Sequence, residues 1–250
     1  MVKNNNKIII AGPCAIESKK QFNDTIESIY HETDIIRCGA WKARTSPYSF
    51  SGQGEGSLKW IQNVQKKFNI RCAIEIGTLN HLNLALEYNI NTFWIGARTT
   101  CNPFTVEEIS KKLKNKNVEI WIKNPIFPDI KLWIGAIERF KKNKKNTIKL
   151  IHRGFFLENS KKYRNHPRWD LLKIIRQEYP EIPIIHDPSH IAGNRELIYQ
   201  ICKKALEKKV DGFMIEVHNE PDNALSDSKQ QLSPIQFKQL LIRLGLKQPS

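Results

Sequence analysis

Six cationic side chains, Arg37, Lys42, Arg44, Arg98, Lys123 and Arg153, sit at or just beyond short apolar runs of the chain. Arginine offers a planar donor fork that fits carboxylate or phosphate, and lysine offers a point charge. The densest group lies in IIRCGAWKARTSPYSFSGQGEG, residues 35–56, a loop rich in Gly, Ser and Thr that holds Arg37, Lys42 and Arg44. Such a loop suits a small phosphorylated substrate, and a solvated basic turn is the plainer alternative in so lysine-rich a chain. Cations partly withdrawn from water cost free energy through desolvation and repulsion unless an anion compensates them. Their convergence therefore implies a ligand with several negative charges, such as a phosphorylated carboxylic acid. A second set, Cys14, His190, Glu216 and Asp227, combines thiol, imidazole and carboxylates. That donor set suits a divalent transition metal better than Mg²⁺ or Ca²⁺, which take oxygen shells. The spacings match no short zinc motif. Taken singly, Cys14 reads as a buried thiol and His190 as a loop histidine.

Elements able to gather these residues are visible in the hydrophobic pattern. Strand-like runs at 7–11, 34–37, 70–75, 92–95, 118–123, 147–152, 182–186 and 212–217 alternate with helical patterns near 19–30, 56–68, 80–88, 103–113, 129–140, 167–178, 194–208 and 233–244. Eight β–α units in 250 residues predict an α/β protein built as a single (β/α)8 TIM barrel, because an open doubly wound sheet would leave strands unused. In that architecture the carboxyl ends of all strands face one opening, where active sites are built. Cys14 follows the first run, Arg37 ends the second, Glu75 the third, and Arg98 follows the fourth. Lys123 ends the fifth, Arg153 follows the sixth, Asp187 and His190 follow the seventh, and Glu216 closes the eighth. Scattered charges would not keep such a register.

A chain of this length can bury roughly three quarters of its unfolded surface without staples. Its five cysteines are odd in number and form no C-x-x-C pair, which points to a reducing compartment. The start, MVKNNNKIIIAGPCAI, is broken by Gly12 and Pro13 and does not read as a signal peptide. No apolar run approaches the ~18 residues of a membrane span, so a cytoplasmic location without membrane contact is expected. The net charge of +15 allows nucleic-acid binding, anionic substrates or a lysine-rich surface. The excess lies in runs such as 111–116 and 141–145, without interleaved aromatics, so the surface reading is preferred and no nucleic-acid partner is expected.

GPCAIES (12–18), WKARTSPYSFSGQGEG (41–56), IGARTTCNPF (95–104), IKNP (122–125), HRG (152–154), DPSH (187–190) and EVHNEPDNALSDSKQQ (216–231) together resemble the metal-dependent type I 3-deoxy-D-arabino-heptulosonate 7-phosphate (DAHP) synthases of the β group. The IGARTT, KNP and YRN forms are most similar to the branch often fused to chorismate mutase. The resemblance implies a transferase that condenses phosphoenolpyruvate with erythrose 4-phosphate and releases phosphate, the entry step of the shikimate pathway to chorismate and the aromatic amino acids. It implies one divalent ion (Mn, Fe, Zn or Co) on Cys14, His190, Glu216 and Asp227. Phosphoenolpyruvate would fall to Arg37, Lys42, Arg98, Lys123 and Arg153, and the aldose phosphate to Arg44, Thr45 and Asp187. Lys42, Glu75, Cys14 and His190 would be catalytic, with Glu75 orienting water. Family habit implies a homo-oligomer acting on small phosphorylated substrates, with any chorismate mutase supplied separately. The expected organisation is one catalytic domain over 1–250, with no regulatory or mutase domain and no built-in feedback control. The chain departs from the family at Ala43, where K-P-R-T usually carries proline, so a looser aldose site is expected. Cys38 is either a small buried residue or a redox partner for Cys14. Two rivals remain: the sister synthase that uses arabinose 5-phosphate, whose loop usually reads K-A-N-R-S-S, and a non-catalytic, basic RNA-binding or scaffold barrel.

Overall fold

In a computed structural model of the chain, which describes residues 7–160 and 162–248, eight parallel strands close in sequence order into a barrel. The strands are β1 (Ile8–Gly12), β2 (Ile35–Cys38), β3 (Arg71–Ile76), β4 (Thr92–Ile95), β5 (Glu119–Lys123), β6 (Thr147–His152), β7 (Ile184–His186) and β8 (Gly212–Glu216). The helices are α1 (Lys19–Ile29), α2 (Leu58–Phe68), α3 (Leu79–Glu87), α4 (Ala97–Thr100), α5 (Pro103–Lys112), α6 (Ile130–Lys141), α7 (Trp169–Glu178), α8 (Pro188–Ala192), α9 (Ile198–Glu207) and α10 (Pro234–Arg243). Closure runs through β1 and β8, with Ile10 opposite Met214 and Gly12 opposite Glu216. Local chemistry starts the helices where the pattern places them: Ser18, Thr78, Asn102, Asp129 and Ser233 accept backbone N–H groups as N-caps, and Pro103 and Pro234 occupy the first turn.

Two apolar layers follow from the period of two along each strand. Outward residues such as Ile36, Ile74, Phe93 and Ile122 pack against the helices. Inward residues, with Trp94 and Trp121 the largest, fill the barrel axis. Cys38 and Cys72 belong to the outer layer, and burial, with each other's proximity, holds the Cys38 thiol well above its ordinary pKa. The expected alternative of a Cys38–Cys14 redox pair is thereby corrected: one step of the pleat turns Cys38 away from the axis, and Cys14 is a free thiol on the site side. Among the described residues no helix is long and apolar enough to cross a membrane.

Candidate active site

The same period of two delivers the polar groups. Stepping two residues on from the inward apolar layer leads from Ile35 to Arg37, Ala73 to Glu75, Trp121 to Lys123, Ile151 to Arg153, Ile185 to Asp187 and Met214 to Glu216. On β4 the step from Trp94 lands on Gly96, where a Cβ would overlap Glu75 Oε1. Glycine there leaves Glu75 its room, and Glu75 Oε2 accepts the Trp94 Nε1–H bond at 2.8 Å. Gly39 serves similarly, because a Cβ would collide with the Cys14 carbonyl.

The cations converge on one cleft of about 530 Å³ at the carboxyl ends of the strands, lined in part by Lys42, Arg44, Arg98, Lys123 and Arg153. Arg37 is fully enclosed outside that lining, with Nη2 3.0 Å from Glu216 Oε1 and with Nε and Nη1 unpartnered. Burial opposes its charge, but Glu216 and Cys14 hold its pKa above the ordinary value. Arg37 and Lys123 lie 5.5 and 5.8 Å from the Trp94 ring centre, which offers a π-face to both. Lys123 Nζ is 3.2 Å from Asp187 Oδ2, yet burial pulls its pKa below the usual lysine value. Arg153 has no carboxylate at ion-pair distance among the described residues. Its Nη1 donates to Asn165 Oδ1 at 2.8 Å, and burial lowers its pKa to about 10. Arg44 donates from Nε to the Phe50 carbonyl at 2.7 Å and from Nη2 to Ser226 Oγ at 2.5 Å. Arg98 is exposed on α4 and donates to Thr45 Oγ1 at 3.4 Å.

The candidate metal donors meet beside these cations. One donor atom each from Cys14, Glu216 and Asp227 lie within 4.8 Å of one another. His190 stands at the edge of this trio, its Nε2 3.8 Å from Glu216 Oε1. Its Nδ1 lies 2.9 Å from Asp187 Oδ2, and burial keeps its pKa below the ordinary value. A neutral ring donating from Nδ1 leaves the Nε2 lone pair facing Glu216. Burial, then the Glu216 charge, raises the Cys14 thiol to about 12, with Lys42 Nζ 3.1 Å from its sulfur. Lys42 also donates to the Cys14 carbonyl at 3.1 Å; burial opposes its charge, but Cys14 and Glu216 raise its pKa. Asp227, at φ 50°, is held well below the usual carboxylate range by His190 and Arg164 despite burial. The donor set fits a divalent transition metal. It joins one soft and two hard ligands, and the buried Glu216 Oε1, 3.0 Å from Arg37 Nη2, receives no well-directed hydrogen bond among the described residues.

Asp187 differs from the expected aldose contact. It is fully buried, holding Lys123 and His190 and accepting the His190 N–H, so it positions those residues and presents no free edge to the cleft. Sequence reasoning also missed several neighbours. Trp94 gave no signal, because an inward tryptophan on a strand reads as core. Arg164, with Nη1 3.2 Å from Asp227 Oδ1, and Asn165 lie in the YRN triplet. Gln230 donates to Glu216 Oε2 at 2.5 Å, and Gln231 accepts the Cys14 N–H at 2.9 Å. Both glutamines fall in the 216–231 motif without their partners being legible.

A (β/α)8 barrel with a polycationic cleft over a thiol–carboxylate cluster defines an enzyme of phosphorylated, anionic substrates that has a place for a divalent metal. The model of the DAHP synthetase I family matches residues 2–246, and the chain belongs to that family. It is 32% identical over 234 residues to the phospho-2-dehydro-3-deoxyheptonate aldolase of Thermotoga maritima, covering 93% of this chain and 67% of that protein. The crystal structure of the Thermotoga maritima phospho-2-dehydro-3-deoxyheptonate aldolase (DAHP synthase) superposes with a TM-score of 0.85 at 29% identity, over 96% of this chain and 68% of that one. The 2-dehydro-3-deoxyphosphooctonate aldolase of Fusobacterium nucleatum is more distant, at 24% identity over 90% of this chain and 84% of its own length.

Proposed function

We propose that this chain is a DAHP synthase, joining phosphoenolpyruvate to D-erythrose 4-phosphate and releasing phosphate. The observation that carries the reading is the convergence of buried cations, Arg37, Lys123 and Arg153, of which Arg153 has no carboxylate at ion-pair distance among the described residues, beside the Cys14, Glu216 and Asp227 cluster. Phosphoenolpyruvate is a small polyanion whose carboxylate and phosphate both suit guanidinium forks. In this reading Arg37, Lys123 and Arg153, with Lys42 and Arg98, hold it, while Arg44 and Thr45 bind the aldose phosphate. The enol carbon bonds to the aldehyde carbon, water adds at the adjacent carbon, and the C–O bond to phosphate breaks. Holding two mutually repelling anions in contact is the main service of the cations, and proximity of this kind supplies several kcal/mol. Lys42, kept protonated beside Cys14, delivers the proton to the oxygen of the former aldehyde, and Glu75, oriented by Trp94, positions the water.

Cys14, His190, Glu216 and Asp227 would hold a divalent transition ion, which when bound acts as a Lewis acid toward the aldehyde. The folded barrel serves as one catalytic unit on small phosphorylated substrates, and homo-oligomers are its expected state. The KARTSPYSF loop and the higher identity to the heptonate enzyme favour the four-carbon aldose. The test is phosphate release from phosphoenolpyruvate with either erythrose 4-phosphate or arabinose 5-phosphate, before and after chelation and with Mn, Fe, Zn or Co restored. Metal-restored turnover, faster with erythrose 4-phosphate, is expected. Preference for arabinose 5-phosphate would reverse the substrate assignment, and no turnover with any ion would remove the metal role of Cys14.

A further inference from the structure

The segment carrying Lys42 and Arg44 is a partition with cavity on both sides. Behind it lies a second cavity of about 420 Å³, which shares Lys42, Ala43 and Glu75 with the main cleft and is walled by Trp41 and His81. A segment with so little packed against it samples open states readily. Several of its ties bind the loop to itself: Lys42 N–H donates to the Ser51 carbonyl at 2.8 Å, and Gly54 N–H to the Ala40 carbonyl at 2.9 Å. Others, Arg44 on Ser226 and Lys42 on Cys14, use side chains that substrate must engage. At the far end of the loop Gln53 Nε2 reaches the Glu17 carbonyl at 2.6 Å.

Next to Lys42 the tie is of another kind. The Trp41 indole lies flat on the His81 imidazole, with centroids 4.2 Å apart and planes 6° apart. His81 is itself anchored in the first turn of α3: its N–H donates to Thr78 Oγ1 at 3.2 Å, and its Nδ1 accepts from Gly77 N–H at 3.3 Å. The stack therefore joins the loop to the rigid end of β3 through residues that the chemistry leaves free. We propose that Trp41 and His81 are positioning residues, whose stacked rings hold residues 43–46 against the strand ends and so set the affinity for the second substrate. The stack takes the place of the stiffness that a proline at position 43 would give. This inference rests on reading Arg44 and Thr45 as the aldose-phosphate site.

The test uses the full chain and the variants His81→Ala, His81→Phe, Trp41→Ala and Trp41→Phe. Amide hydrogen exchange across residues 42–53 is followed without substrate, and KM is measured for each substrate. Loss of an aromatic pair corresponds to about three- to tenfold. Both alanine variants should raise the exchange rate of 42–53 and KM for erythrose 4-phosphate by that factor. Exchange in the barrel strands, kcat and KM for phosphoenolpyruvate should stay within about twofold, because Lys42 keeps its own ties to the Cys14 carbonyl and sulfur. The phenylalanine variants keep a flat ring and should stay near the parent in both readouts, which a hydrogen-bonding or purely structural role for His81 would not allow. Unchanged exchange in the alanine variants, an unchanged KM for erythrose 4-phosphate despite faster exchange, or phenylalanine variants as impaired as alanine would each overturn the proposal. A parent enzyme that fails to turn over erythrose 4-phosphate overturns the assignment of the cleft, and the exchange arm still decides whether the stack pins the loop.

Discussion

The two ends of the barrel both gather charge, and they treat it oppositely. At the amino ends of the strands Glu119 is saturated: Oε1 takes Lys149 Nζ and Trp121 Nε1–H, each at 2.5 Å, and Oε2 takes Arg71 Nη1 at 3.0 Å. Burial opposes the Glu119 charge, but these donors hold its pKa below the ordinary value. At the carboxyl ends Arg37 pairs with Glu216 through Nη2 alone and leaves two nitrogens unpartnered, and among the described residues Arg153 has only a neutral amide partner on its side chain. A cluster that compensates itself contributes to folding, whereas one left short of partners is set up for ligands that arrive later.

The sharpest way to break that contrast is Arg153→Met. It removes a buried cation without orphaning an acid, so kcat/KM should fall by about 10³-fold, the loss expected when a charge-assisted anion contact vanishes. The unfolding free energy should hold or rise by about 1 kcal/mol. Urea denaturation beside steady-state kinetics checks this, and a stability loss above about 2 kcal/mol would make Arg153 a structural residue. Glu119→Gln should do the converse, costing about 2 kcal/mol with kcat/KM within twofold. The cost is below that of a fully buried pair because Arg71 stays in water.

A pH series sharpens the comparison further. His152 and His186, at the carboxyl ends of β6 and β7, are buried with Nδ1 atoms 3.0 Å apart, and burial lowers both pKa values, that of His152 to about 4. The unfolded chain takes up protons near pH 6.5 while the folded chain does not, so stability falls with pH between those values. His152 alone should remove about 2 kcal/mol between pH 7 and 5 in urea titrations. Glu119 acts in the same direction but in a lower window. Its contribution is intact above about 4.5 and is lost only as pH falls through its lowered folded pKa, so Glu119→Gln should leave the slope from pH 7 to 5 unchanged. The smallest effect is expected at Ala43, whose N–H makes no hydrogen bond with another group among the described residues. Ala43→Pro should slow exchange across 42–53 and lower KM for the aldose phosphate about two- to fivefold.

Much of the scaffold was legible because repeated local rules reinforce one another. The eight strand positions follow from short apolar runs, and their observed bounds shift by two residues at most, as at β7. The short helices α4 and α8 escaped, since four or five residues are too few for a helical period, although they carry Arg98 and His190. Asp187 was legible as a strand-end residue, but its engagement with Lys123 and His190 was not.

The sequence by itself determined the barrel, the register that sends Arg37, Lys123 and Glu216 to one rim, and, through its motifs, the family. These are consequences of side-chain periodicity and chain order, which are local. Folding alone decided that Cys14 meets Gln231, 217 positions away, that His190 turns one nitrogen to Asp187 and the other toward Glu216, and that Trp41 lies on His81. Those contacts depend on how distant loops pack over the strand ends, and the spacing of residues along a chain carries no term for that distance.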